Sequence, residues 1–113
     1  GPEVDMGGYE RLDLVSAVPR SLRAMALSIA PNPFNPATSL RFELAAPGRV
    51  QLRIFDISGR LVRTLVSEDL NAGPQQVIWN GLDNAQRASA SGVYFALLEA
   101  NGEHVAGRLA LVR

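Results

Sequence analysis

From residue 25 onward the hydrophobic positions recur every second residue, the period of a strand with one buried face. Leu27 and Ile29 alternate first. Leu40, Phe42 and Leu44 then alternate with Arg41 and Glu43, and Val50, Leu52 and Ile54 with Gln51 and Arg53. Residues 61–66 read as a fourth strand and residues 75–80 as a fifth, with Val77 and Trp79 on one face. Gly92–Ala100 is apolar at nearly every position, which predicts a central strand, and residues 104–112 place Val105, Leu109 and Leu111 in register as the last. The connections are short. Ala46-Pro47-Gly48 predicts a hairpin between the second and third strands, and Asn101-Gly102 a two-residue hairpin turn, because both residues tolerate positive φ. Residues 81–90 are polar and without period, hence a loop. Seven short strands and no helical stretch predict an all-β fold, a seven-stranded antiparallel β-sandwich of immunoglobulin or fibronectin type over residues 25–113.

One stretch breaks the alternation. "APNPFNP", residues 30–36, places three prolines in six positions immediately before the second strand. Proline fixes φ and donates no hydrogen bond, and it pushes the preceding residue to extended geometry, so neither helix nor central strand can form there. The stretch reads as an ordered corner between sheets. Pro31, Pro33 and Pro36 stiffen it, Asn32 and Asn35 supply side chains for unpaired backbone groups, and Phe34 is expected to plug one end of the core. Trp79, with Gly92 and Tyr94, completes the positions assigned a structural role. The Trp79 indole reads as a packing residue and not a sugar platform, since Val77 on the same face is apolar.

Composition narrows the function. The eleven acidic and eleven basic residues balance, which argues against nucleic acid or an anionic membrane as partner. No cysteine is present, so neither a disulfide scaffold nor a thiolate metal site is available. No run approaches the roughly 20 apolar residues of a membrane-spanning helix. Residues 1–24 lack the strand pattern. Gly1-Pro2 looks like the scar of a cleaved tag, and the remainder reads as the end of an upstream domain and a linker.

Little here suggests catalysis. His104 is the only histidine and has no nucleophile or carboxylate placed to work with it, so it reads as an exposed residue on a strand edge. The glycines are spread over the turns and form no phosphate loop. The best polar cluster is Asn80-Gly81-Leu82-Asp83-Asn84. Asn80 and Asp83, with Asp56 if the fold brings it near, are weak calcium candidates; the competing reading is a turn that caps its own backbone. The residues thus predict a protein that is not an enzyme, with no cofactor, whose work is binding, spacing or being recognised.

Four blocks, "PNPFNPATSLRFEL", "VQLRIFDISGRLVRTL", "AGPQQVIWNGLDNAQRASASGVYFALLEA" and "GRLALVR", occur in an order that resembles the C-terminal sorting domains of the type IX secretion system. The pattern is also similar to the immunoglobulin-like domain of the flagellar hook-capping protein. The resemblance implies an address label: a domain recognised by the outer-membrane secretion machinery, which carries a cargo through the periplasm to the cell surface, where a sortase-like protease anchors it. It implies recognition at the end of the chain, Gly107, Arg108, Leu109, Ala110, Leu111, Val112 and Arg113, although Gly107-Arg108 stands where a basic pair is usual. Upstream, "VDMGGYE" resembles the close of a parallel β-helix, which would make the cargo domain a β-helix and residues 11–24 the linker. The expected mode of recognition is addition of a partner strand to the exposed last strand. The alternative is a passive spacer or assembly module of a large extracellular protein, and carbohydrate binding would require exposed aromatic side chains.

Overall fold

The structure, a computed structural model, describes residues 26–113. The expected tag scar, β-helix end and linker of residues 1–24 lie outside these. Seven strands follow in order: β1 (Ser28–Ala30), β2 (Thr38–Leu44), β3 (Gly48–Asp56), β4 (Leu61–Leu70), β5 (Gly73–Trp79), β6 (Gly92–Ala100) and β7 (Glu103–Leu111). They form two antiparallel sheets, β1-β2-β5 and β4-β3-β6-β7. The fold is the all-β sandwich that the alternation predicts, and among the described residues no helix is long and apolar enough to cross a membrane.

The core lies between the sheets and is built from one face of each strand. Leu40, Phe42 and Leu44 of β2 meet Val50, Leu52 and Ile54 of β3, with Trp79 from β5, Tyr94, Ala96 and Leu98 from β6 and Leu109 and Leu111 from β7. Each large side chain buried this way contributes about 1.5–3 kcal/mol. β6 is central, flanked by β3 and β7, as its doubly apolar pattern predicts. β4 shows no clean alternation because its register against β3 shifts twice, between Leu52 and Arg53 and between Ile54 and Phe55. Each shift turns the following side chains toward the other face.

One expected hairpin is not there. β2 and β3 belong to different sheets, so Ala45, Ala46 and Pro47 carry the chain across the sandwich and not around a hairpin. No residue of this connection takes the positive φ that a short hairpin turn requires. The connection is instead tied to the β6–β7 turn, where Asn101 Nδ2 donates to the Ala46 carbonyl at 3.2 Å. This contact also explains Gly48, whose Cβ would lie 2.2 Å from Asn101 Oδ1. At Asn101-Gly102 the prediction holds, with φ of 54° and 77° closing the β6–β7 hairpin.

Candidate functional site

The seven residues expected to be recognised divide by the parity of β7. Leu109 and Leu111 are buried in the core. Gly107 faces the same way, and a Cβ there would stand 2.9 Å from Ile29 Cδ1 and 3.1 Å from Leu27 Cδ2; glycine lets β1 close over β7. Arg108, Ala110 and Val112 point outward. Arg108 pairs across the sheet with Phe95, and Ala110 with Val93, so the outward side of this end is an apolar strip beside one guanidinium. Val112 is 52% exposed.

The backbone of this end is not an open edge, contrary to the strand-addition expectation. Asn32 Nδ2 donates to the Arg108 carbonyl at 2.8 Å, and the Ala110 N–H donates to Asn32 Oδ1 at 2.9 Å. The Phe34 N–H then donates to the Ala110 carbonyl and the Val112 N–H to the Phe34 carbonyl, both at 2.9 Å. The side-chain amide of Asn32, planar with one donor face and one acceptor, takes the place of a peptide. Pro31 and Pro33 on either side have no N–H to extend the ladder. Thr38 Oγ1 fixes the corner by donating to the Pro31 carbonyl at 2.7 Å. Asn35, expected to act like Asn32, makes no such bond among the described residues and is exposed. Arg113 completes the closure: its Nε donates to the Ser89 carbonyl at 2.6 Å, its Nη2 to the Gly81 carbonyl at 2.8 Å, and its N–H to Ser91 Oγ at 2.9 Å.

Beneath the corner three aromatic rings meet. Trp79 is 0% exposed, 5.5 Å from the Phe34 ring and edge-on to Tyr94 at 5.3 Å. Phe34 is thus the plug its sequence context predicts, and Trp79 is a packing residue. Both polar tips hold the loop that follows β5, with Trp79 Nε1 donating to the Leu82 carbonyl at 2.9 Å and the Tyr94 hydroxyl to the Ala90 carbonyl at 2.6 Å. The second of these is the tyrosine corner of sandwich folds.

The fold does bring Asp56 near the Asn80–Asp83 region. Asp56 and Asp83 line one concavity of about 560 Å³, with Arg60, Arg87 and Tyr94. Their oxygens, however, are already accepting. Asp56 Oδ1 takes the Ser58 hydroxyl at 2.6 Å and the Ser58 and Arg60 N–H groups at 2.9 and 3.0 Å. Asp83 Oδ1 takes the Ala85 and Arg87 N–H groups at 2.8 and 2.9 Å, and Asn80 Oδ1 the Leu82 N–H at 3.2 Å. The Ser58 hydroxyl, then the Arg60 N–H, holds the Asp56 carboxyl below its ordinary 3.8. The Arg87 N–H does the same for Asp83. Among the described residues no cluster of three or more His, Cys, Asp or Glu side chains could hold a metal ion, and the geometry here is that of two self-capped turns.

The family model of the FlgD Ig-like domain matches residues 30–103, from the proline corner to the last hairpin. The chain belongs to the FlgD Ig-like domain family. No curated protein matches it. Among solved structures the FlgD Ig-like fold recurs in PorZ, described as an essential bacterial surface component of the type-IX secretion system of Porphyromonas gingivalis, at 23% identity and a TM-score of 0.56 over 78% of this chain. It recurs in dimeric latent PorU of the same organism at 18% identity and 0.60 over 76%, and in FlgD of P. aeruginosa at 15% and 0.55 over 78%. This chain spans 12% of PorZ and 9% of PorU, against 76% of that FlgD chain. At these identities the likeness is one of fold.

Two features of the FlgD Ig-like chain escape a reading by strand pattern. The self-capping Asp turns carry a repeated signal, an Asp four residues before an Arg, in Asp56-Ile57-Ser58-Gly59-Arg60 and Asp83-Asn84-Ala85-Gln86-Arg87; the ion pairs Arg60–Asp56 and Arg87–Asp83 measure 3.4 and 3.7 Å. Phe95 is 39% exposed on the outer face of the larger sheet although its strand is central, because among the described residues no layer covers that face. Phe55 lies beside it in register, and Arg53 sits over the Phe55 ring at 5.4 Å while pairing with Glu99.

Proposed function

We propose that this domain is a non-enzymatic sorting and anchoring domain, which directs a secreted cargo by way of the periplasm through the outer membrane to the cell surface along a type IX route. Its partners are the outer-membrane secretion machinery, a sortase-like protease and the cargo domain upstream. The ordered sequence blocks and a fold shared with regions of PorZ and PorU support this reading. The observation that carries it is the sealed end of β7, where Asn32, Phe34 and Arg113 hold the terminal residues as one surface. With the backbone there already bonded, a receptor reads side chains: Arg108 beside Phe95, and Val112.

Removing residues 108–113 cannot test this, since it also takes Leu109 and Leu111 out of the core. The discriminating variant combines Arg108→Glu with Val112→Ser, both at exposed side chains, in a reporter fused to residues 25–113 and expressed in a bacterium with type IX secretion. The unaltered fusion reaches the surface, and the variant stays in the periplasm with an unchanged melting temperature. Surface display of the variant overturns recognition at this end. Retention of both fusions favours the second reading, a passive spacer or assembly module, which membership in the FlgD Ig-like family supports.

A further inference from the structure

Four strands lie at sheet edges, and the described residues close them unequally. β7 is sealed by Asn32 and Phe34. β4 is guarded by Asn84, whose N–H donates to the Val62 carbonyl at 3.0 Å and whose Oδ1 accepts from the Thr64 N–H at 3.1 Å. β1 is only 3 residues long. β5 is different: among the described residues no hydrogen bond from outside its own sheet reaches its backbone. Edge strands are ordinarily blunted by charge, bulge or cover. β5 has no charged side chain and no register shift against β2, and its Ile78 is 56% exposed.

Pro74 shows which groups are open. A proline in an edge strand places its nitrogen away from the ladder, and the register runs unbroken from Leu44↔Gly73 to Thr38↔Trp79. By alternation, the N–H and C=O groups of Gln76 and Ile78 face away from β2.

We propose that this edge pairs antiparallel about Gln76 with the same edge of a second copy of the chain, joining the two smaller sheets into one. Gln76 of each copy exchanges both backbone groups with the other, and each Ile78 N–H reaches the Pro74 carbonyl opposite. On the outer face the exposed Ile78 side chain then covers Pro74 of the second copy. An uncharged strand is its own electrostatic complement: two-fold pairing sets no like charges on neighbouring strands, while Arg41 and Glu43 stay one strand further out on β2. The contact is isologous, so it uses up the edge and stops at a dimer. It does not depend on the secretion reading.

The test is sedimentation of the full 113-residue chain from about 10 µM to about 1 mM, with amide exchange followed by NMR at both ends of that range. The mass rises toward twice that of the monomer, and exchange at Gln76 and Ile78 slows with concentration. Ile78→Lys weakens association more than tenfold with the melting temperature preserved, whereas Phe95→Ser, on the other sheet, leaves it unchanged. A monomer throughout the range, an association that survives Ile78→Lys, or protection gained along β7 or around Phe95 in place of β5 overturns the proposal.

Discussion

Along the end of β7 the Arg108 carbonyl, both backbone groups of Ala110 and the Val112 N–H are taken by two residues of the proline corner, whereas along β5 the corresponding groups of Gln76 and Ile78 meet nothing among the described residues. Both strands contribute to the same aromatic cluster's surroundings and both end near the same loop. The difference lies in what arrives beside them. A strand neighbour would offer its own outer edge in turn, but a corner of prolines with one asparagine amide satisfies β7 and offers none. Closing an edge therefore takes a short segment poor in donors and not another strand.

The closure of β7 depends most on Phe34. Its ring packs on Trp79 and its backbone makes two of the bonds to β7, so Phe34→Ala removes the anchor of the corner and leaves a cavity. A loss of about 3–5 kcal/mol is expected in denaturant unfolding, together with fast exchange at Val112. Asn32→Ala is smaller and more specific. It removes two hydrogen bonds at exposed positions, a loss of about 0.5–1.5 kcal/mol for each, while Asn32→Asp still accepts from Ala110 but sets a carboxylate oxygen against the Arg108 carbonyl. If Ala110 exchange is unaffected in Asn32→Ala, the amide is not the closing device.

Acid acts on one of the two guarded edges and not on the other. The guard on β4 stands next to Asp83, whose carboxyl is held below 3.8 by the Arg87 N–H first, and the guard on β7 contains no titrating group. A carboxyl with a depressed folded pKa contributes stability above its unfolded value and loses it as the pH falls through the folded one. Protection of the Thr64 amide should therefore drop as the pH is lowered below 3.8, while that of Ala110 holds. Asp83→Asn should abolish the difference.

Much of this fold is legible in the chain because strands with one buried face write their period into it. β2 and β3 could be read position by position, and Asn101-Gly102 announced its turn through φ. What local pattern cannot carry is partnership. Ala46-Pro47-Gly48 is a turn signal, yet whether the next strand folds back or crosses over is decided by how two sheets bury their faces together. Asn32 was recognisable as a residue that would satisfy backbone groups, but its partner lies 76 residues away. Gly107 sits in the stretch expected to be recognised, and its constraint is the approach of Leu27 and Ile29. The Asn80 and Asp83 oxygens have calcium-like spacing, and only the folded turns show them occupied by N–H groups.

The end of β7 is assembled from parts of the chain that synthesis brings out far apart: the corner at residues 31–34, the loop carbonyls of Gly81 and Ser89, and Arg113. None of this surface exists on a nascent or misfolded copy. A partner that bound this surface would thereby tell folded copies from unfolded ones without a separate proofreading step.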